Sequence, residues 1–178
     1  MLKRTYKIAF GGVIAALSAV LMFLTGIIPF GTYALPALAG MALVTVVIEL
    51  GSRFAFAVYA VVSVLSALFV PDKEAAMFFI IFLGFYPILK GIIEGKIRAR
   101  YAQYIIKLIL FNACMVASYF IGKFLLSIPD ESFVVFGIFL PYLFLALGNV
   151  FFILYDFCIT VVVNQYFSRL RGKIFRGK

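Results

Sequence analysis

Six apolar stretches, separated by short breaks whose basic residues alternate from one break to the next, constrain this chain more than any other feature. The stretches run roughly over 8–28, 34–50, 54–70, 76–92, 104–126 and 142–166. Lys3, Arg4 and Lys7 precede the first, Arg53 separates the second from the third, and Lys96, Arg98 and Arg100 separate the fourth from the fifth. Arg169, Arg171, Lys173, Arg176 and Lys178 follow the sixth. The other three breaks are the turns at 29–33, 71–74 and 129–132, where Lys73 is the single cation. Basic residues gather on the cytoplasmic side of a membrane protein. The alternation therefore predicts six spans with both termini in the cytoplasm.

Composition supports that reading. Hydrophobic residues make up 66% of the 178 and charged residues 13%. A helix crossing about 30 Å of hydrocarbon needs about 20 apolar residues, so six spans consume nearly the whole chain. Residues 1–178 read as one all-α membrane domain, a compact six-helix bundle with no room for a soluble catalytic domain. The net charge of +9 is explained by basic loops meeting an anionic leaflet, where each basic residue gains about 1 kcal/mol. Lipid is thus an expected partner and nucleic acid is not.

The start of the chain imitates a signal peptide, with Lys3, Arg4 and Lys7, an apolar run, and then Ala37-Leu38-Ala39. The run is too long for a signal core and further spans follow, so an uncleaved first helix is expected. Cys114 and Cys158 lie inside the fifth and sixth stretches and read as packing thiols. With no histidine and no clustered cysteines, no metal site, cofactor or catalytic residue is expected.

Proline and glycine mark the ends. Pro36 and Pro141 suit the first turn of a helix, where proline costs least, and Pro87 lies near an inner end of the fourth stretch. Gly51 sits where the second helix must stop before Arg53. From Phe133 to Tyr166 the chain is apolar throughout, about 51 Å if it were one helix. A break at Pro141 would leave 133–140 as a separate outer segment; a strongly tilted helix kinked at proline is the alternative.

Several side chains stand out against this background. Gly11, Ala15 and Ala19 are spaced by four residues, with Gly12 and Ala16 beside them. Such a face lets helices approach closely, either within this protein or against a partner subunit. Asp156 lies about 15 Å from Tyr166 along a helix, near mid-membrane, and shares a helical face with Asn149 and Tyr142. Asn112 on the fifth stretch has a comparable depth, so a bond from Asn112 to Asp156 would tie the two helices together. Asp156 itself reads as a structural bonding group, a proton or ion site, or a coupling or substrate residue. Lys123 either snorkels toward Asp130 and Glu131 or anchors an anionic or carbonyl-bearing ligand, with Tyr119 one turn away. Glu49/Arg53, Lys90/Glu94 and Glu94/Arg98 stand at i, i+4 near inner helix ends and read as surface pairs. Phe78, Phe79, Phe82 and Phe85 fit either packing or a pocket for a flat ring.

The topology, the first helix KIAFGGVIAALSAVLMFL and the proline-containing loop leading into ALPALAGMAL resemble the substrate-binding S-components of energy-coupling-factor (ECF) vitamin transporters. In that family an alanine-rich face of the first helix meets a transmembrane coupling subunit driven by two cytoplasmic ATPases. The resemblance implies a partner interface at Gly11, Ala15 and Ala19. It also implies a pocket in the outer half near Tyr33, Phe78, Tyr119, Lys123, Tyr142 and Asn149, and residence in a bacterial plasma membrane. The expected function is then non-enzymatic uptake of a small organic micronutrient. The GxxxxGK[ST] phosphate loop is absent from the chain, so ATP would be hydrolysed by other subunits. A membrane scaffold of a cell-envelope complex and a proton-coupled carrier using Asp156 are the alternatives.

Overall fold

Each apolar stretch is helical in the computed structural model of the protein, which describes residues 4–28, 31–125, 134–135, 138–139 and 141–170. In chain order the helices are α1 (Arg4–Leu24), α2 (Gly31–Leu50), α3 (Ser52–Phe69), α4 (Lys73–Phe78), α5 (Tyr86–Lys96), α6 (Arg100–Leu125) and α7 (Pro141–Gln165). A wide turn with i→i+5 bonding, Phe79–Leu83, joins α4 towards α5, so Lys73–Lys96 forms one interrupted apolar rod. The described residues thus contain six helices long and apolar enough to cross a membrane, as the charge pattern predicts. Lys3, Pro29, the 129–132 turn with Asp130 and Glu131, and the basic residues from Arg171 onward lie outside the described residues.

The breaks follow from local chemistry. Gly51 adopts φ 85°, a left-handed value that glycine reaches without a Cβ penalty, and it reverses the chain between α2 and α3 in a single residue. Asp72 caps α4, its Oδ1 accepting the Ala75 N–H at 2.9 Å, a bond of the kind worth about 1 kcal/mol. Pro141 opens α7 as expected, which removes the reading of 133–166 as a single kinked helix. Ahead of it, β1 (Val134–Val135) pairs antiparallel with β2 (Ile138–Phe139), Val134 facing Phe139.

Two prolines depart from expectation. Pro36 lies inside α2 rather than at its opening, because the helix already begins at Gly31. Pro87 marks the middle of the fourth rod, at the first turn of α5, and not an inner end. Proline has no N–H to give the carbonyl four residues earlier, which here is Leu83 O. The Tyr155 hydroxyl of α7 donates to that carbonyl at 2.8 Å. Gly40 of α2 makes room for this contact: a Cβ at position 40 would stand 2.1 Å from Leu83 O and 2.6 Å from Tyr155 Oη. One proline, one glycine and one tyrosine therefore join three rods at a single point.

The interrupted rod and α2 form the middle of the bundle, with 56% and 39% of their apolar windows buried, against 17% for both α1 and α7. Two cores result. One is aliphatic and lies among α1, α2, α3 and the rod, built on Met22, Leu43, Val46, Val58, Val62 and Phe79. The other is aromatic and lies among α2, the rod, α6 and α7, built on Phe82, Tyr86, Phe111, Phe152 and Tyr155. Side chains such as Val13, Leu17, Val61, Leu68, Ile109 and Ile153 are exposed, an outer surface suited to hydrocarbon rather than to water.

Candidate functional site

Hydrogen bonds identify which helix ends lie together. Thr32 Oγ1 donates to Asp72 Oδ2 at 2.9 Å, joining the starts of α2 and α4 at one end of the bundle. Tyr166 Oη donates to Glu49 Oε1 at 3.2 Å, joining the far ends of α7 and α2. The second end also carries Arg53, Lys96, Arg98 and Arg100 and is called the basic end below.

Between α5, α6 and α7, in the half of the bundle nearest the basic end, four charges form a closed ring. Lys90 Nζ lies 2.5 Å from Asp156 Oδ1 and 3.4 Å from Glu94 Oε1. Lys107 Nζ mirrors it, 2.5 Å from Glu94 Oε1 and 3.4 Å from Asp156 Oδ1. Each ammonium thus faces both carboxylates and the ring is neutral overall. Neutrality matters because an isolated Lys or Asp at the centre of a spanning helix costs about 2.5–3.5 kcal/mol on insertion scales. Lys90 and Lys107 are 3% and 2% exposed. Lys90 donates further to Asp156 O at 2.9 Å and Thr160 Oγ1 at 2.8 Å. The Tyr86 hydroxyl donates to Asp156 Oδ1 at 2.5 Å, its ring stacked on Phe82 and edge-on to Phe152. The Lys107 ammonium also lies 5.6 Å from the centre of the Tyr104 ring.

The ring corrects two sequence-based readings. Lys90/Glu94 is not a surface pair: its lysine is buried, because α6 and α7 close over α5. Asn112 does not reach Asp156. It exchanges amide bonds with Asn149, Asn112 Nδ2 to Asn149 Oδ1 at 3.0 Å and Asn149 Nδ2 to Asn112 Oδ1 at 3.1 Å. Each asparagine also donates to the carbonyl four residues earlier, Leu108 O and Leu145 O respectively. Two i−4 bonds aim the two amides at one another across α6 and α7, so Asn149 acts as a clasp between helices.

At the opposite end, Tyr33 and Phe78 lie together, ring centres 5.3 Å apart in an edge contact. The Tyr33 hydroxyl donates to Glu74 Oε1 at 2.7 Å. With Thr32 and Asp72 these residues make a polar, aromatic-edged cluster at the breaks that precede α2 and α4. Tyr119 and Lys123 are half-buried in the same half of α6, Tyr119 edge-on to Phe120. The Tyr142 side chain lies outside the described residues. On α1, Gly11 is buried against Phe54 and Val58 of α3, Ala15 packs on the aliphatic core and Ala19 is half-buried, while Gly12 and Ala16 are exposed. The small-residue face is therefore used at least in part within the protein itself.

Lys107, Tyr86 and Thr160 escaped the sequence reading. A signal existed for the first: Lys107 is seven residues into its helix from Arg100, about 10.5 Å, too deep for a loop cation. No protein-family model, curated protein or solved structure matches this chain.

Proposed function

We propose that the protein is a non-enzymatic, membrane-embedded substrate-binding subunit for uptake of a small organic micronutrient, of the ECF S-component type, in a bacterial plasma membrane. Separate coupling and ATPase subunits would power it. The observation that carries the reading is the cluster at the end opposite the basic loops. There, Tyr33 of α2 donates to Glu74 and stands edge-on to Phe78 of α4, beside the Thr32 to Asp72 bond. A few polar groups on an apolar, aromatic wall are what a small-molecule site requires. A coupling partner would meet α1, where Gly12 and Ala16 remain exposed beside the half-buried Ala19.

The test is purification from native membranes in mild detergent, with mass spectrometry of co-purifying subunits and small molecules. A vitamin-like ligand, lost on Tyr33→Ala or Glu74→Gln while the protein still folds, supports the proposal. Cell-envelope proteins without any ligand would replace it with the scaffold reading.

A second reading, the proton-coupled carrier, is favoured by one observation: Asp156 is held by Lys90, Lys107 and Tyr86 together. Protonating it would unbalance the ring. Transport that disappears on Asp156→Asn, in a variant that still inserts and binds substrate, would establish that reading.

A further inference from the structure

Glu94 is held differently from the rest of the four-charge ring. Its side chain is 42% exposed, whereas that of Asp156 is 13% and those of both lysines are 3%. Asp156 is fixed by Tyr86 as well as by the lysines. Among the described residues, Glu94, in contrast, is held in the ring by the Lys90 and Lys107 ammonium groups. It lies two residues from the end of α5, about 3 Å along the axis, beside the basic loop. Lys90 and Lys107 start about 9 and 10.5 Å from the ends of their helices, deeper than Glu94, and both reach one carboxylate oxygen, Glu94 Oε1, as lysine stems do near a membrane boundary.

The surroundings are strongly cationic. From position 90 to 107 the charged residues are Lys90, Glu94, Lys96, Arg98, Arg100 and Lys107, five cations to one carboxylate. Lys96, Arg98 and Arg100 are exposed. Such a field concentrates anions at the interface, and the two inner lysines present a pair of converging donors at its base. A phosphate oxygen takes charge-assisted bonds from an ammonium at least as well as a carboxylate does.

We infer that Lys90 and Lys107 form a phosphate-binding site at the basic end, which Glu94 fills as an internal, displaceable carboxylate. The ligand is a phosphate group, carried by an anionic lipid or by a soluble phosphate. On displacement, Glu94 swings to the exposed side of α5, and the phosphate takes its place between the two ammonium groups, neutralised further by the loop cations. The site does not depend on the transport reading, since it lies at the other end of the bundle from Tyr33 and Phe78.

The test uses the full-length protein in nonionic detergent with two probes, phosphatidylglycerol against phosphatidylcholine by native mass spectrometry, and inorganic phosphate by thermal unfolding. Wild type should retain phosphatidylglycerol over phosphatidylcholine, Glu94→Gln should retain it about tenfold more strongly, and Lys107→Gln should lose the preference. If inorganic phosphate alone stabilises Glu94→Gln, the site takes a soluble phosphate; if only the lipid does, it takes a headgroup. Glu94→Asp, whose shorter carboxylate withdraws from the lysines, should shift in the same direction and substitutes for Glu94→Gln should that variant not fold. Equal retention of both probes by wild type and the Glu94 variants overturns the inference. So does a Lys107→Gln protein that folds and keeps the preference, since the exposed loop would then account for all the binding.

Discussion

Helices α1 and α7 are equally peripheral, each with 17% of its apolar window buried, yet they are attached by different physics. α1 lies close against α2 and α3 through small residues. Gly11 admits the Phe54 ring, Ala15 rests on the aliphatic core, and a buried polar contact crosses the seam from Ser18 Oγ to Ala39 O at 3.2 Å. α7 is attached along its length by polar groups: Asn149 to Asn112, Tyr155 to Leu83 O, Asp156 to Lys90 and Lys107, and Tyr166 to Glu49. Between the first two of these, Phe152 stacks on Phe111 of α6 at 4.9 Å. For helices long and apolar enough to cross a membrane, hydrocarbon would be as apolar as the side chains, and no hydrophobic drive would hold them together. Close packing and interhelical bonds are the available alternatives, and this protein uses one on each flank.

The contrast can be broken most severely at the charge ring. Lys90→Met leaves the Asp156 carboxylate short of its nearest cation and should destabilise by about 3–5 kcal/mol. The double change Lys90→Met with Asp156→Leu should recover most of that loss. A double-mutant cycle on unfolding in detergent measures both, and additive losses would show that the ring does not act as a unit. Next in size is Gly40→Ala at the meeting point of α2, the rod and α7. Its Cβ would collide with backbone at Leu83, at a cost of about 1–3 kcal/mol, read as a lower midpoint with α1 still attached.

Tyr155→Phe removes the donor to the Leu83 carbonyl, which Pro87 leaves without its helical partner. A loss of about 1–3 kcal/mol follows from an unsatisfied buried acceptor, and hydrogen exchange near 83–87 should rise with it. The smallest effect belongs to the amide clasp. Asn149→Ala should cost about 0.6 kcal/mol and no more than about 1.7. Asn112→Ala should cost the same and the pair no more than either alone. A loss of ligand affinity on Asn149→Ala but not on Asn112→Ala would instead return Asn149 to the pocket.

The legibility of these features varied with their range. The helix boundaries at Gly51 and Pro141 were readable because each rests on its own backbone chemistry. The edge contact of Tyr33 with Phe78 joins residues 45 positions apart, and no local spacing predicts it. Pro87 was visible as a proline, but its effect on Leu83 O acquires meaning only when Tyr155, 72 residues later, donates to that carbonyl. Asn112 and Asp156 were paired on depth alone, and the structure puts them at different depths: Asn112 meets Asn149, two turns or about 10 Å along α7 from Asp156. Lys107, five residues before Asn112 on α6, is the residue level with Asp156, because a depth counted from expected helix ends does not fix the register between α6 and α7.

Sequence alone determined that six apolar helices form and where most of them start and stop, because length, hydropathy and turn residues act within a few positions of one another. It also marked Asp156 as a charge too deep to be a loop residue, while Lys90 read as a surface residue and Lys107 passed unmarked. Tertiary structure alone decided which of those charges meet, that their sum is zero, and which one faces outward. Those outcomes depend on how α5, α6 and α7 are rotated and how closely they pack. That is set by the aromatic core and by the room Gly40 leaves beside Leu83, contacts made between residues far apart in the chain.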